Sequence, residues 1–163
     1  MIILGIDPGY ATVGYGVISL EGSKYKAIDY GVINTPKTDS LPIRLTKISD
    51  GIDVLMDKYK PDAVAIEELF FQNNQKTAIL VAEARGAILL SLYKKSKNLY
   101  EYTPLQIKQA MTGYGRAEKV QIQHMVTLML GLKEIPKPDD AADALAVALT
   151  HAQIGRFSSL FGI

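Results

Sequence analysis

The sequence predicts an α/β fold: one five-stranded mixed β-sheet flanked by α-helices. Three observations lead there. Three strand-like runs crowd the first 34 residues, helical and strand patterns then alternate as far as Tyr102, and everything after that has helical period.

Taken in order, Ile2–Asp7 is a short apolar run stopped by Pro8 and Gly9, the pattern of a buried strand ended by a tight turn. Residues 14–20 alternate small and apolar side chains as a second strand would. Lys24–Asn34 carries Tyr25, Ile28, Tyr30, Val32 and Ile33 after a Glu-Gly-Ser turn, and makes a third. Strands this close in sequence pair most cheaply as an antiparallel meander. Ile43, Leu45, Ile48, Ile52, Leu55 and Met56 then recur at helical spacing up to Lys60 and Pro61. Ala63–Glu67 reads as a buried strand, residues 77–92 as a long helix and Leu99–Tyr102 as a short strand. Pro104 suits the first position of a helix, and Leu105, Ile107, Ala110 and Met111 continue it. Residues 117–130 and Asp139–Ile154 form two further helices across a connection at 131–138. With no repeat, linker or low-complexity tract, the whole chain (1–163) is expected to be a single domain.

The helix at 77–92 has apolar residues nearly all round, so it must be covered on more than one side. Either it is sandwiched inside its own domain, or it packs one face on the sheet and the other on a twin helix. Ala78, Ala82 and Gly86, four apart, would permit close approach in the second case.

Bulk properties exclude more than they assign. Hydrophobic residues make up 48% and charged residues 21%, as in an ordinary soluble protein. Without cysteine there is neither a disulfide framework nor a thiolate metal site. The apolar start lacks a basic flank, and no apolar run approaches the roughly 20 residues of a membrane span, so a cytoplasmic protein is expected. A net charge of +1 neither favours nor excludes nucleic acid, because a local basic patch suffices.

Four carboxylates carry the chemistry. Asp7 and Glu67 end two apolar strands, and ligands of open sheets bind outside the carboxyl ends of strands. If those strands are parallel neighbours, both acids reach one edge. Asp140 and Asp143 are three apart near the start of the last helix, about 60° apart around it, so both can face one point. Four such groups repel each other unless cations neutralise them, and hard oxygen ligands suit Mg²⁺ or Mn²⁺. Two such ions can serve phosphodiester cleavage without a protein nucleophile. Each acid also has an ordinary explanation. Asp7 could satisfy turn amides, Glu67 could be a solvated strand end, and Asp139 is expected to cap the last helix. Asp143 lies on a strongly apolar helix and needs a partner there.

The order Gly5-Ile-Asp7-Pro-Gly9, Ala65-Ile-Glu67, Ala84-Arg85-Gly86, Ala117-Glu-Lys119, Gln121-Ile-Gln-His124-Met125 and Asp140-Ala-Ala-Asp143-Ala-Leu resembles the bacterial RuvC resolvases. The resemblance runs from Ile2 to His151. It implies an RNase H-like fold and a homodimer that binds a four-way DNA junction and nicks two strands symmetrically. It also implies cooperation with a branch-migration complex, RuvA and RuvB. The family's catalytic and metal-binding acids fall on Asp7, Glu67, Asp140 and Asp143, with Glu68 second choice to Glu67. Mg²⁺, replaceable by Mn²⁺, is the expected cofactor at two ions per subunit. The chain lacks the basic tail of some relatives, which leaves tail-mediated contacts open.

For DNA, Phe70 matches the family's stacking aromatic and Phe71 could share that role, although two phenylalanines at a loop edge are commonly core anchors. Lys76, Arg85, Lys108, Arg116 and Lys119 are the basic residues nearest the motifs. Lys108 and Lys119 match positions beside the acids, where they would hold the scissile phosphate, and Lys119 is counted with the catalytic residues. Amides of the loop at 112–116 could also hold a phosphate. His124 and His151 are expected to pack or be solvated. Competing readings are an actin-like ATP-binding protein, for which the chain is too short to repeat the phosphate loop, a junction-binding module without chemistry, and a nuclease for RNA–DNA hybrids.

Overall fold

The order of elements in this computed structural model follows the sequence pattern, and the sheet arrangement decides where the acids meet. Residues 1–69, 75–96, 98–155 and 161–163 are described, Gln75 by its backbone alone. The chain runs β1 (Ile2–Asp7), β2 (Thr12–Glu21), β3 (Lys24–Asn34), α1 (Leu41–Tyr59), β4 (Ala63–Glu67), α2 (Gln75–Lys95), β5 (Leu99–Tyr102), α3 (Pro104–Thr112), α4 (Lys119–Met129) and α5 (Asp139–Ile154). One sheet has the strand order β3-β2-β1-β4-β5. β1, β2 and β3 form the expected antiparallel meander, while β4 pairs parallel with β1 and β5 parallel with β4. Phe161 and Ile163 return to hydrogen-bond the outer edge of β5, which covers part of an otherwise open edge.

Side chains alternate across the sheet and divide the core in two. Ile3, Ile18, Ala65 and Tyr102 face α3, α4 and α5. Leu4, Ile6, Val13, Val17, Val64 and Ile66 face α1 and α2. By the same alternation Asp7 and Glu67 point to the α5 side.

Local chemistry sets the helix ends. Thr103 and Gln106 form a reciprocal capping box at α3, which ends at Gly113 with φ 72°. α4 starts two residues later than its pattern suggested, because Ala117 is a buried anchor and Glu118 caps the helix with Gln121. The expected cap of α5 is corrected. Pro138 occupies the cap position and Asp139 is the first helical residue, paired with Lys137 at 3.1 Å.

Among the described residues, α2 is covered on one face only. Ala84, Ile88 and Leu92 bury one face, whereas Ile79, Leu90 and Tyr93 are half exposed or more and Ala82 and Gly86 are open. Beyond Gly86, no atom of the described residues outside its own stretch of helix lies within 4 Å of where a Cβ would stand. No helix among the described residues is long and apolar enough to cross a membrane.

Candidate active site

Parallel pairing of β1 and β4, with Ile6 beside Ile66, puts Asp7 and Glu67 side by side at one end of the sheet. α5 lies across that end at unusually close range. A methyl built on Gly5 would stand 2.1 Å from the Ala144 carbonyl oxygen, and one on Gly14 would stand 2.0 Å from that of Asp140. Gly14 is also the cross-strand partner of Asp7. Three strand glycines, with Gly16 against the Leu145 backbone nitrogen as the third, therefore let the first half of α5 drop onto the sheet. That contact brings Asp140 and Asp143 to Asp7. The sequence reading named all four acids, but it took Gly5 only as part of a motif and residue 14 only as the start of a strand, with no role in seating α5.

The electrostatics show how strongly the acids interact. Burial, followed by the charges of Glu67, Asp143 and Asp140, pushes the Asp7 carboxyl up from 3.8 to about 8, with Lys119 opposing. Burial and then Asp143 push Glu67 up from 4.5 to about 7, against Lys119, Lys108 and a hydrogen bond from Asp7. Asp143 is raised by burial, while the Lys119 ammonium, 2.8 Å away, pulls it down. Around neutral pH Asp7 therefore keeps a proton and donates it to Glu67, so the pair carries less than its full charge.

A cavity of about 210 Å³ opens at this point, lined by Glu67, Lys108, Lys119, Asp143 and the apolar side chains of Ile107 and Ile122. Glu68 faces elsewhere and lines a different cavity with Leu69, Ala82, Arg85 and Glu101. Lys108 and Lys119 stand where the sequence reading put them. Arg85 does not join them: its guanidinium pairs with Glu101 on β5 and ties α2 to the sheet. Arg116 is exposed in the loop between α3 and α4, and Lys76 is exposed in the first turn of α2. Phe70 and Phe71 lie outside the described residues. His124 is exposed, and His151 is buried against Tyr100 and bonded to the Tyr102 hydroxyl at 2.7 Å, as expected of packing and solvated residues.

Among the described residues no three His, Cys, Asp or Glu side chains are arranged as placed to hold an ion. The donor chemistry nevertheless fits a hard divalent cation. Asp7, Glu67, Asp140 and Asp143 offer oxygen alone, and the proton shared by Asp7 and Glu67 is one that such a cation would displace.

The sequence model of crossover junction endodeoxyribonuclease RuvC matches residues 3–151. This chain belongs to the RuvC family. The Alkaliphilus oremlandii crossover junction endodeoxyribonuclease RuvC is 56% identical over 163 residues, covering 100% of this chain and 99% of the relative. The solved Thermus thermophilus RuvC is 38% identical with a TM-score of 0.89, covering 96% of each chain. The same protein solved with a Holliday junction substrate is 35% identical with a TM-score of 0.90 and full coverage of both chains. These matches confirm the RNase H-like fold expected of a RuvC protein, including the three antiparallel strands beside two parallel ones.

Proposed function

We propose that this chain is a structure-specific endonuclease that resolves four-way (Holliday) DNA junctions by phosphodiester hydrolysis in recombination and repair. One observation carries the reading: Asp7, Glu67, Asp140 and Asp143 meet at one sheet end beside Lys108 and Lys119, in a chain of the RuvC family.

The quartet would hold two Mg²⁺ ions, with Mn²⁺ an acceptable substitute. Bound there, such ions would supply Lewis-acid activation of water and charge stabilisation at the leaving oxygen. The protein does the rest. Asp7 and Glu67 release the proton they share, so that both present anionic oxygen. Lys119, poised at Asp143, and Lys108, near Glu67, bring positive charge against the scissile phosphate and favour the build-up of negative charge on it. Lys76 and Arg116 are exposed and suit phosphate contacts; Arg85 suits them less while Glu101 holds it. The decisive experiment compares cleavage of a synthetic four-way junction with that of an RNA–DNA hybrid duplex. Metal-dependent paired nicks in the junction alone are expected; preferential cutting of the hybrid would replace the reading.

Paired nicks need two active sites in one complex, and the exposed face of α2 is the surface proposed to receive a second copy. Ile79, Ala82, Gly86, Leu90 and Tyr93 follow one another along that face at helical spacing. Ala82→Glu should shift sedimentation from dimer to monomer at micromolar concentration and abolish the pairing of nicks. An unchanged dimer would place the interface elsewhere.

Phe70 and Phe71, just past the strand that carries Glu67, are proposed to stack on bases at the branch point. Phe70→Ala should slow junction cleavage roughly 5- to 150-fold, since stacking is worth about 1–3 kcal/mol, and lower affinity less. Wild-type cleavage by that variant would turn attention to Phe71. A branch-migration complex, RuvA and RuvB, is the proposed partner assembly.

A further inference from the structure

The turn that follows Asp7 is braced by a buried cation. Arg44, near the start of α1, is only 5% exposed, and no ion pair to it is found among the described residues. Its Nε donates to Thr35 Oγ1 at 2.8 Å and one terminal nitrogen donates to the Thr35 carbonyl at 3.3 Å. Its guanidinium carbon sits 3.6 Å from the centre of the Tyr10 ring. Thr35, equally buried, completes the link to the turn. Its hydroxyl donates to the Tyr10 carbonyl at 2.8 Å and its backbone N–H to the Ala11 carbonyl at 2.9 Å.

Tyr10 is separated from Asp7 only by Pro8 and Gly9, and the turn is tight enough that a methyl on Gly9 would stand 2.0 Å from the Thr12 carbonyl oxygen. A movement of Tyr10 is thus passed to the end of β1. Burying a guanidinium without a carboxylate is costly, and a core that needed only volume at this point would be served by leucine or methionine. What arginine adds is direction: a rigid fork of donors and a flat cation that stacks on an aromatic face.

We propose that Arg44 is a positioning residue for Asp7, fixing the Pro8 to Ala11 turn through Thr35 and Tyr10 and so aiming the Asp7 carboxylate. The inference rests on the reading of Asp7 as a nuclease carboxylate. Arg44→Met, Arg44→Lys and the milder Thr35→Val test it in the full chain. Three quantities are measured: single-turnover cleavage of a four-way junction at saturating protein, junction affinity in chelator, and amide hydrogen exchange along residues 2–13. Arg44→Met and Thr35→Val should cut about 10- to 100-fold more slowly, because small misplacements of reacting groups are expensive. Both should bind the junction within about twofold of wild type, since phosphate contacts dominate affinity. Exchange should accelerate at residues 9–12 and not at Ile3, Leu4 or Ile6. Arg44→Lys, which can still set a cation over Tyr10, should recover part of the rate.

Cleavage by Arg44→Met and Thr35→Val at the wild-type rate would overturn the proposal. So would a slower rate accompanied by an equal loss of affinity and faster exchange throughout β1, the signature of general destabilisation. Should the wild-type protein itself leave the junction uncut, the nuclease reading fails instead. Unchanged exchange at residues 9–12 in the variants would then dismiss the brace on its own.

Discussion

Asp7→Asn should leave a protein that binds four-way junctions, cuts them more than ~10³-fold more slowly, and is more stable than the wild type at alkaline pH. The loss of cutting follows from position: Asp7 is coupled to Glu67, Asp143 and Asp140, so its oxygen belongs to whatever the cluster holds. Binding should persist or tighten, because the change removes negative charge from a surface that meets phosphates. The stability gain follows from linkage. Asp7 is raised from 3.8 to about 8 in the folded chain, mainly by burial and then by Glu67. Its favourable contribution is complete below about pH 4 and is lost progressively as pH rises to 8, the window in which the unfolded chain ionises the group and the folded chain does not. Each tenfold difference in proton affinity is about 1.4 kcal/mol, so a rise from 3.8 to about 8 costs the fold at most about 6 kcal/mol at pH 8.5. In chelator the wild-type melting temperature should therefore fall from pH 5.5 to 8.5, and Asp7→Asn should melt roughly 5–10 °C higher at the upper end. Mg²⁺ should restore the wild type at pH 8.5 and have little effect on the variant. Two measurements check the prediction, a cleavage time course and a thermal melt at the two pH values. Brisk metal-dependent cutting by Asp7→Asn would remove Asp7 from the chemistry. A lower melting temperature at pH 8.5 would mean that the cluster is not under electrostatic strain.

Gly14→Ala should be nearly as damaging to catalysis, although it adds one methyl group and no charge. That methyl would stand 2.0 Å from the Asp140 carbonyl oxygen, which is backbone and cannot swing aside. α5 must lift by an ångström or more at its first turn, and Asp140 and Asp143 must leave Asp7. A displacement of that size costs about 10²-fold in rate, while overpacking costs about 1–3 kcal/mol in stability. The expected result is a folded protein, melting lower by several degrees, whose cleavage rate has fallen about 100-fold. Its Mg²⁺ requirement should move to higher concentration. Unimpaired cleavage would show that the first turn of α5 can shift without disturbing the quartet.

Much of the site could be read before the fold was known, because the relevant patterns are local. Ile2–Asp7 and Ala63–Glu67 announce themselves as buried strands by short apolar runs, and each ends on its acid. Alternation within β4 then assigns Glu67 to the α5 side, and the adjacent Glu68 lines a different cavity. Asp140 and Asp143 share a helix face by spacing alone. Lys108 and Lys119 were found through the family pattern, and both line the cavity.

Residues whose role depends on a distant neighbour were legible only in the tertiary structure. Gly5 and Gly14 are unremarkable strand glycines until α5 is seen pressed against them. Arg44 looks like a solvated helix residue until Thr35 and Tyr10 close over it. Arg85 offers a charge that can be read from the sequence, whereas its partner, Glu101, cannot. The even chemistry of α2 left two coverings open, and only its packing against the core under α1 and the sheet showed which face is buried. The physical reason is common to all four. Sequence period fixes which way a side chain points along its own element, whereas close packing, ion pairing and burial are set by elements brought together from far along the chain.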